Sequence, residues 1–199
     1  SFGVNGRVRV NVAGPDYVSQ DALHAVVVQP DGNVLAAGWG GNPYGDFVLM
    51  RVHPDGTFDD AFGVNGIARN AFSASWDEAT ALTLQPDGKP VAGGFVRGTN
   101  GADDVAVVRY LSDGTVDTSF SGDGIATGLF SWVFYPFFIP QIVNALAVQP
   151  DGKILAVVEG ISSSNGFLVL RLQPDGTLDP SFGDGGRAFF AHQTGGDLA

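Results

Sequence analysis

Three pairs of aspartates at a repeated spacing are the first candidates for chemistry. Each pair places two carboxylates four residues apart beside a glycine-containing turn: Asp55/Asp59, Asp113/Asp117 and Asp175/Asp179. Loops rich in oxygen ligands can bind calcium. However, the alternating carboxylates of a complete calcium loop are missing, and aspartate is common in turns for conformational reasons. We therefore expect no cofactor, with calcium as the weaker alternative.

An arginine precedes the second aspartate of each pair by eight residues. The arginines end three apolar segments at the same register, and a partly buried guanidinium needs a carboxylate partner. This spacing predicts one ion pair in each repeat and gives the six residues a structural role. They are Arg51, Arg109, Arg171, Asp59, Asp117 and Asp179.

The sequence contains no recognisable catalytic motif. His24, His53 and His192 occupy unrelated positions in the repeats, cysteine is absent, and no serine elbow, phosphate loop or zinc-protease motif is present. A glycosidase needs two carboxylates that face each other across a substrate, and spacing alone does not identify such a pair. We predict that the protein is not an enzyme, and a hydrolase ranks third among the functions considered.

Tryptophan and tyrosine residues mark a second kind of candidate site. These side chains combine a large apolar face with a polar group and are favoured in binding interfaces and sugar sites. Most of them fall in connections that differ between the repeats, where binding residues concentrate. The candidates are Trp39, Tyr44, Trp76 and Trp132. The alternative interpretation is that they cap the ends of the fold.

One unusually apolar segment, Leu129–Val143, adds further candidates for binding. It reads LFSWVFYPFFIPQIV, and it is too short and too interrupted by proline to cross a bilayer. A protein contact or an apolar ligand site is the preferred interpretation, and folding back over the domain is the alternative. The aromatic candidates in it are Trp132, Phe134, Tyr135, Phe137 and Phe138.

These residues are carried by an internal repeat of about 60 residues, the signature of stacked structural units. Each repeat contains a Gln-Pro-Asp-Gly turn, an Asp-Gly-Thr turn and a phenylalanine that is usually followed by glycine. The phenylalanines are Phe2, Phe62, Phe120 and Phe182. We predict a single repeat domain over residues 1–199, with repeats at about 7–71, 72–129 and 130–191 and one spare first strand.

Each repeat is expected to form four short strands. The strand after the phenylalanine, such as Arg7–Val12 or Ile67–Ala71, is counted as the first. The fourth strands, such as Phe47–Val52, Val105–Tyr110 and Phe167–Leu172, are apolar without alternation, which indicates cover on both faces. These features predict an all-β protein: a β-propeller of four-stranded antiparallel blades. A β-trefoil is the alternative.

The segment NALAVQPDGKILAV, followed by GFLVLRLQPDGTLDPSFGDGG, resembles the delta-60 repeat, a bacterial β-propeller repeat of large exported or surface proteins. The resemblance covers nearly the whole chain, three times over. It implies a propeller and an extracellular or cell-surface location, and it implies no activity. Departures from the repeat are Ala61, the pair Leu111-Ser112 and the apolar insertion before Asn144.

The composition restricts the partners. A formal net charge of −11 argues against nucleic acid and anionic membranes, and no membrane span is visible. Three blades do not close a ring, so we expect self-association into six blades, or further repeats of a longer chain.

The predicted function is a non-enzymatic scaffold that binds through its variable loops and assembles through apolar blade faces. A carbohydrate-binding propeller using Trp39, Tyr44 and Trp76 is the alternative.

Overall fold

The computed structural model describes residues 2–10, 12, 21–41, 45–98, 101–129, 141–159 and 167–190. Those residues form β-strands joined by turns, and none of them is helical, so none forms a helix that could cross a membrane. The strands are β1 (Ala22–Val28), β2 (Val34–Gly40), β3 (Asp46–Val52), β4 (Ile67–Asn70), β5 (Asp77–Leu84), β6 (Pro90–Arg97), β7 (Asp103–Arg109), β8 (Ile125–Ala126), β9 (Ile142–Val148), β10 (Ile154–Glu159), β11 (Phe167–Leu172) and β12 (Arg187–Phe190).

The strands form three separate four-stranded antiparallel sheets, each a meander in chain order. Sheet 1 contains β1–β4, sheet 2 contains β5–β8, and sheet 3 contains β9–β12. This arrangement confirms the all-β class and the four-stranded blades of a propeller. It contradicts the β-trefoil alternative, because the strands are not shared in one closed barrel.

The Gln-Pro-Asp-Gly turn joins the first two strands of every sheet. Its glycines, Gly32, Gly88 and Gly152, have φ values of 87°, 85° and 82°. In the first turn the Gly32 N–H donates to the Gln29 carbonyl at 2.9 Å, and the Gln29 N–H donates to the Asn33 carbonyl at 2.8 Å. Proline presets the turn and glycine supplies the left-handed residue that rejoins the strand, so this local signal fixes each hairpin.

The strand after the phenylalanine is the last strand of its sheet, and counting it as the first was wrong. Ile67–Asn70 pairs with β3, and Arg187–Phe190 pairs with β11. The predicted strand at Arg7–Val12 does not form in the described residues, since Arg7 makes only an isolated bridge to Val4. The equivalent segments of sheets 1 and 3 pair with β3 and β11, the third strands of their sheets. The Arg7–Val12 segment would therefore pair with the third strand of a preceding sheet.

Sheet 2 lies between the other two sheets. One of its faces packs on sheet 1, where Leu35 and Leu49 meet Ala92 and Val108. Its other face packs on sheet 3, and that core contains buried aliphatic residues of both sheets. Strand β7 is buried on both faces from Val105 to Arg109, which explains its uninterrupted apolar sequence.

Strand β11 differs from β7 even though its sequence is equally apolar. Leu168, Leu170 and Leu172 are at most 1% exposed against sheet 2, whereas Phe167 on the opposite face is 50% exposed. The strands counted as fourth from the sequence are β3, β7 and β11. The expectation that each is covered on both faces is correct for sheets 1 and 2 and wrong for sheet 3 within the described residues.

Candidate functional site

Two of the predicted aromatic candidates meet where sheets 1 and 2 adjoin. Trp39 lies near the end of β2, and Trp76 immediately precedes β5. Their ring centroids are 4.6 Å apart and their planes are inclined by 50°. Both side chains are partly buried. They form an aromatic pair at the end of the sheets where the connections vary between repeats, which we call the tryptophan pair.

The backbone around Gly45 brings the two indoles together. The Asp77 N–H of sheet 2 donates to the Gly45 carbonyl of sheet 1 at 2.7 Å. A Cβ at Gly45 would lie 2.8 Å from Cε3 of Trp39. A residue without a side chain is therefore required where the chain passes between the sheets and the tryptophan pair.

A polar group borders the tryptophan pair. The Trp76 Nε1–H donates to the Glu78 carboxylate at 3.2 Å. The other oxygen of Glu78 lies 2.9 Å from Nε2 of His24 on sheet 1. The indole faces can stack on an apolar surface of a ligand. The neighbouring carboxylate can accept hydrogen bonds from the ligand, and the imidazole can accept or donate them.

Asp77 fixes the loop that carries Trp76, although it was not among the site residues predicted from the sequence. Its side chain is fully buried and accepts the N–H groups of Phe72 and Ser73 at 2.7 and 2.8 Å, together with the Ser73 hydroxyl at 2.5 Å. A repeated signal could have identified it, because Asp21 precedes its Gln-Pro-Asp-Gly turn by the same number of residues. Asp21 accepts the Val12 N–H at 2.8 Å.

Two cavities open beside this site. One, of about 400 Å³, is bordered by Trp39, Val8 and Val48. The other, of about 550 Å³, is bordered by Phe72, Ser75 and Arg97. Both are of a size that accommodates small ligands.

The second cavity carries a fixed cation. The Arg97 guanidinium donates to the Asp103 carboxylate at 2.7 and 3.1 Å. This hydrogen-bonded carboxylate raises the pKa of Arg97 above its usual range, against the effect of partial burial. The charge of Arg97 is therefore held at the rim of the cavity.

The other predicted ligand or partner residues lie outside the described part of the structure. The apolar segment is described only at its two ends, up to Leu129 and from Gln141 onward. Its role in contact therefore stays a prediction. The residues concerned are Tyr44, Trp132, Phe134, Tyr135, Phe137 and Phe138.

At the opposite end of the sheets, each repeat contains the predicted arginine–aspartate pair. The Nε–Oδ2 distances are 2.7 Å for Arg51–Asp59, 2.9 Å for Arg109–Asp117 and 2.7 Å for Arg171–Asp179. Each guanidinium also lies 4.6–4.8 Å from the ring centroid of the phenylalanine that follows its aspartate. These contacts lock the turn against the strand end.

The aspartates proposed as calcium ligands are engaged in their own turns. Asp55 accepts both the N–H and the hydroxyl of Thr57, at 2.9 and 2.7 Å. Asp113 and Asp175 make the same contacts with Thr115 and Thr177. Among the described residues, no three histidine, aspartate or glutamate side chains are grouped closely enough to hold a metal ion.

Comparisons with known proteins agree with the repeat. Residues 29–62, 85–120 and 149–182, just over half of the chain, match a family described as "Domain of unknown function (DUF5122) beta-propeller". No curated protein matches. A solved structure, the periplasmic gluconolactonase PpgL of Pseudomonas aeruginosa, is similar with a TM-score of 0.43 and 17% identity. The match covers 74% of this chain, which spans only 39% of the gluconolactonase.

Proposed function

Since the chain belongs to the DUF5122 family of β-propeller domains, we propose that it is a non-enzymatic interaction module of an exported or surface bacterial protein. It binds its ligand through the end of the sheets that carries the tryptophan pair. The opposite end, with its repeated turns and arginine–aspartate pairs, serves as scaffold. The apolar faces of the outer sheets serve in assembly.

The tryptophan pair is the observation that carries this proposal. Trp39 and Trp76 come from different sheets and meet beside Glu78, so the feature depends on two repeats packing together. Repeated residues hold a fold together, whereas residues that differ between equivalent loops are free to specialise in binding. Sheet 2 carries Asp103 where sheet 1 has Gly45, and Phe95 where sheet 1 carries Trp39, so the pair is not a general feature of the repeat.

A carbohydrate ligand is the second candidate, and the composition of the site favours it. Indole faces stack on the apolar faces of sugar rings, and Glu78 with His24 supplies hydrogen-bonding groups at the edge of the stack. Tyr44, the third residue predicted for such a platform, lies outside the described residues. The delta-60 resemblance to surface proteins is compatible with both candidates.

Ligand binding at the tryptophan pair is tested with the Trp76→Ala variant. We expect it to lower the affinity for any oligosaccharide that the wild-type protein binds on a glycan array by at least about tenfold, because aromatic anchors dominate such contacts. Titration of the selected oligosaccharide, followed by tryptophan fluorescence, measures the change. The matched control is Phe189→Ala, which removes an aromatic side chain that is 46% exposed on sheet 3.

Three outcomes separate the candidates. Binding that survives Trp76→Ala places the site elsewhere and contradicts the proposal for this end of the sheets. An array without any bound oligosaccharide removes the carbohydrate alternative.

The scaffold version is then tested by crosslinking to bacterial envelope proteins. Photo-crosslinkers are introduced at Ala74, in the exposed loop before Trp76, and at Asp87, in a repeated turn, and the frequency of crosslinks from each position is compared. Crosslinks no more frequent from position 74 than from position 87 contradict it.

A further inference from the structure

Sheet 3 exposes a face that is fully covered in the other two sheets. We call it the C-terminal face, and it contains Leu155, Val157, Phe167 and Val169. Phe47 of sheet 1 and Val105 of sheet 2 occupy the position of Phe167, and both are 0% exposed because the next sheet packs over them, whereas Phe167 is 50% exposed. The C-terminal face is therefore the surface on which a following sheet packs.

Hydrogen bonds between the sheets repeat with the same period. Arg51 Nη1 donates to the Ser112 carbonyl of the next repeat at 2.5 Å, and Arg109 Nη1 donates to the Pro174 carbonyl at 2.6 Å. Arg171 is the equivalent residue of sheet 3. Within the described residues its guanidinium bonds only to Asp179 and Ser181 of its own repeat.

A second periodic bond comes from the loop after each phenylalanine. The Gly63 N–H donates to the Asp113 carbonyl, and the Ser121 N–H donates to the Asp175 carbonyl, both at 2.7 Å. Gly183 holds the same position in sheet 3, and within the described residues its N–H makes no bond to another sheet. The C-terminal face thus presents both donors and the apolar surface of a repeat junction.

Sheet 1 exposes the complementary surface on its other side. We call it the N-terminal face, and its exposed part contains Val26 and Val28 of β1, each 65% exposed. In sheet 2 the residue equivalent to Val26 is Leu82, which is 9% exposed because sheet 1 covers it. A preceding sheet would cover Val26 and Val28 in the same way.

We infer that the C-terminal face of one copy of this chain docks on the N-terminal face of a second copy. The contact reproduces the junctions already present between sheets 1 and 2 and between sheets 2 and 3. It is a head-to-tail contact, which closes into a ring when the rotation permits. Two copies supply six sheets, within the range of about four to eight blades in propellers.

The segment from Phe2 to Val10 competes with this docking. The Val4 N–H donates to the Arg7 carbonyl at 2.9 Å, as Asp184 does to Arg187 at 2.7 Å. The Gly3 N–H donates to the Asp55 carbonyl at 2.6 Å, the bond that Gly183 of a docked copy would make. Residues 2–7 therefore fill the place of the incoming loop.

The competing segment is the more weakly held of the two loops. Strand β12 follows the Gly183 loop and forms a four-residue ladder with β11, and Phe190 stacks on Phe167 at 5.2 Å. The isolated bridge of the Phe2–Val10 segment joins Val4 to Arg7 within the segment itself. Among the described residues, the Gly3–Asp55 hydrogen bond and apolar contacts of Val8 and Val10 hold the segment to sheet 1. Docking therefore displaces the segment from Phe2 to Arg7, and β12 stays in place.

Sedimentation velocity on the full chain and three variants tests this inference. Phe167→Asp disrupts the C-terminal face and Val26→Asp disrupts the N-terminal face. We expect each variant alone to be a monomer of 20.7 kDa and the equimolar mixture to form a heterodimer through the two remaining intact faces. Val64→Asp is the matched control, since Val64 is 75% exposed on a loop outside both faces. It should associate like the wild type.

The competing segment is tested in the full chain with Gly3→Ala. Gly3 has a φ of 52°, and a Cβ there would lie 2.3 Å from the Arg7 carbonyl oxygen. The substitution should release the segment and tighten self-association by about tenfold, because the docking-competent fraction rises.

The outcomes decide the inference. A monomeric wild type together with a monomeric Gly3→Ala variant overturns it. If the wild type associates, a mixture of Phe167→Asp and Val26→Asp that stays monomeric overturns it as well; if only Gly3→Ala associates, the same mixture is measured with Gly3→Ala in both variants. Association of Gly3→Ala alone supports it. The inference rests on the assembly role within the proposed function but uses neither Trp39 nor Trp76. Loss of ligand binding in Trp76→Ala with unchanged association, or the reverse, therefore distinguishes the two proposals.

Discussion

Replacement of Arg109 by methionine is expected to lower the free energy of unfolding by about 3–5 kcal/mol, the usual cost of removing one partner of a buried ion pair. The Arg109 and Asp117 side chains are only 8% and 6% exposed. The guanidinium also bonds to the Ser119 hydroxyl and to the Pro174 carbonyl of sheet 3, and it covers the ring of Phe120. Methionine fills much of the volume but, among the residues that the structure describes, leaves Asp117 with Lys89 alone as a cationic partner. Urea unfolding measures the change.

Arg69→Met is the matched control for this prediction. Arg69 also pairs with an aspartate, Asp46, at 2.6 Å, but its side chain is 41% exposed. Because Arg69 is half solvated, the pair contributes less than one that is buried on both sides, so the loss should be clearly smaller than in Arg109→Met even though Asp46 itself is buried. Arg171→Met should be intermediate, because within the described part of the chain the Arg171 guanidinium bonds only to Asp179 and Ser181 of its own repeat. Equal losses in Arg109→Met and Arg69→Met would show that the buried junction has no special role.

The sequence predicted those parts of the fold that depend on contacts between near neighbours in the chain. The hairpins follow from Gln-Pro-Asp-Gly, whose glycine adopts the required positive φ. The arginine–aspartate pairs follow from a spacing of eight residues, because a bridge between Val52 and Phe58 folds the chain back and places Asp59 beside Arg51. Such contacts recur in every repeat, and repetition makes them visible in a single sequence.

The candidate site could be predicted only in part because it is formed between sheets. Composition and loop position singled out Trp39 and Trp76, but nothing in their spacing shows that their rings meet. The link from His24 to Glu78 joins residues that are far apart in sequence and adjacent only after sheets 1 and 2 pack.

The exposure of sheet 3 was equally hidden in the sequence. An apolar strand such as Phe167–Leu172 indicates that both faces are suited to burial, and it does not indicate whether the second partner belongs to the same chain. The structure shows one partner, sheet 2, on the face of Leu168 and Leu170, and leaves Phe167 half exposed.

Acidification is expected to destabilise the protein over a narrow range, beginning as the pH falls towards 4. The structure lowers the pKa of a carboxyl at the turns and arginine–aspartate pairs of every repeat. In the turns the cause is hydrogen bonds from threonine, as from Thr57 to Asp55. At Asp117, burial opposes the charge, but hydrogen bonds from Ser119 and Lys89 together with Arg109 outweigh it and hold the pKa far below its usual value. The carboxyls with lowered pKa are Asp55, Asp59, Asp113, Asp117, Asp175 and Asp179.

The sign of the effect follows from proton linkage. A carboxyl whose pKa is lower in the folded state than in the unfolded state stabilises the fold above its unfolded value, near 3.8. That stabilisation is lost as the pH falls through the folded pKa, because the unfolded chain binds the proton first. Asp104 acts in the opposite direction, since burial raises its pKa, but among the described residues it is outnumbered by the six carboxyls whose pKa is lowered.

Thermal unfolding between pH 7 and pH 2 checks this prediction. The melting temperature should be nearly constant from pH 7 to pH 5 and should fall steeply below pH 4. The Asp117→Asn variant should be less stable at pH 7, and its melting temperature should fall less on acidification, because the amide cannot be protonated in that range. Asp60→Asn, an exposed neighbour of Asp59, should follow the wild-type curve. If the wild type and Asp117→Asn lost stability in parallel, acid unfolding would have another origin, such as the repulsion among the remaining positive charges.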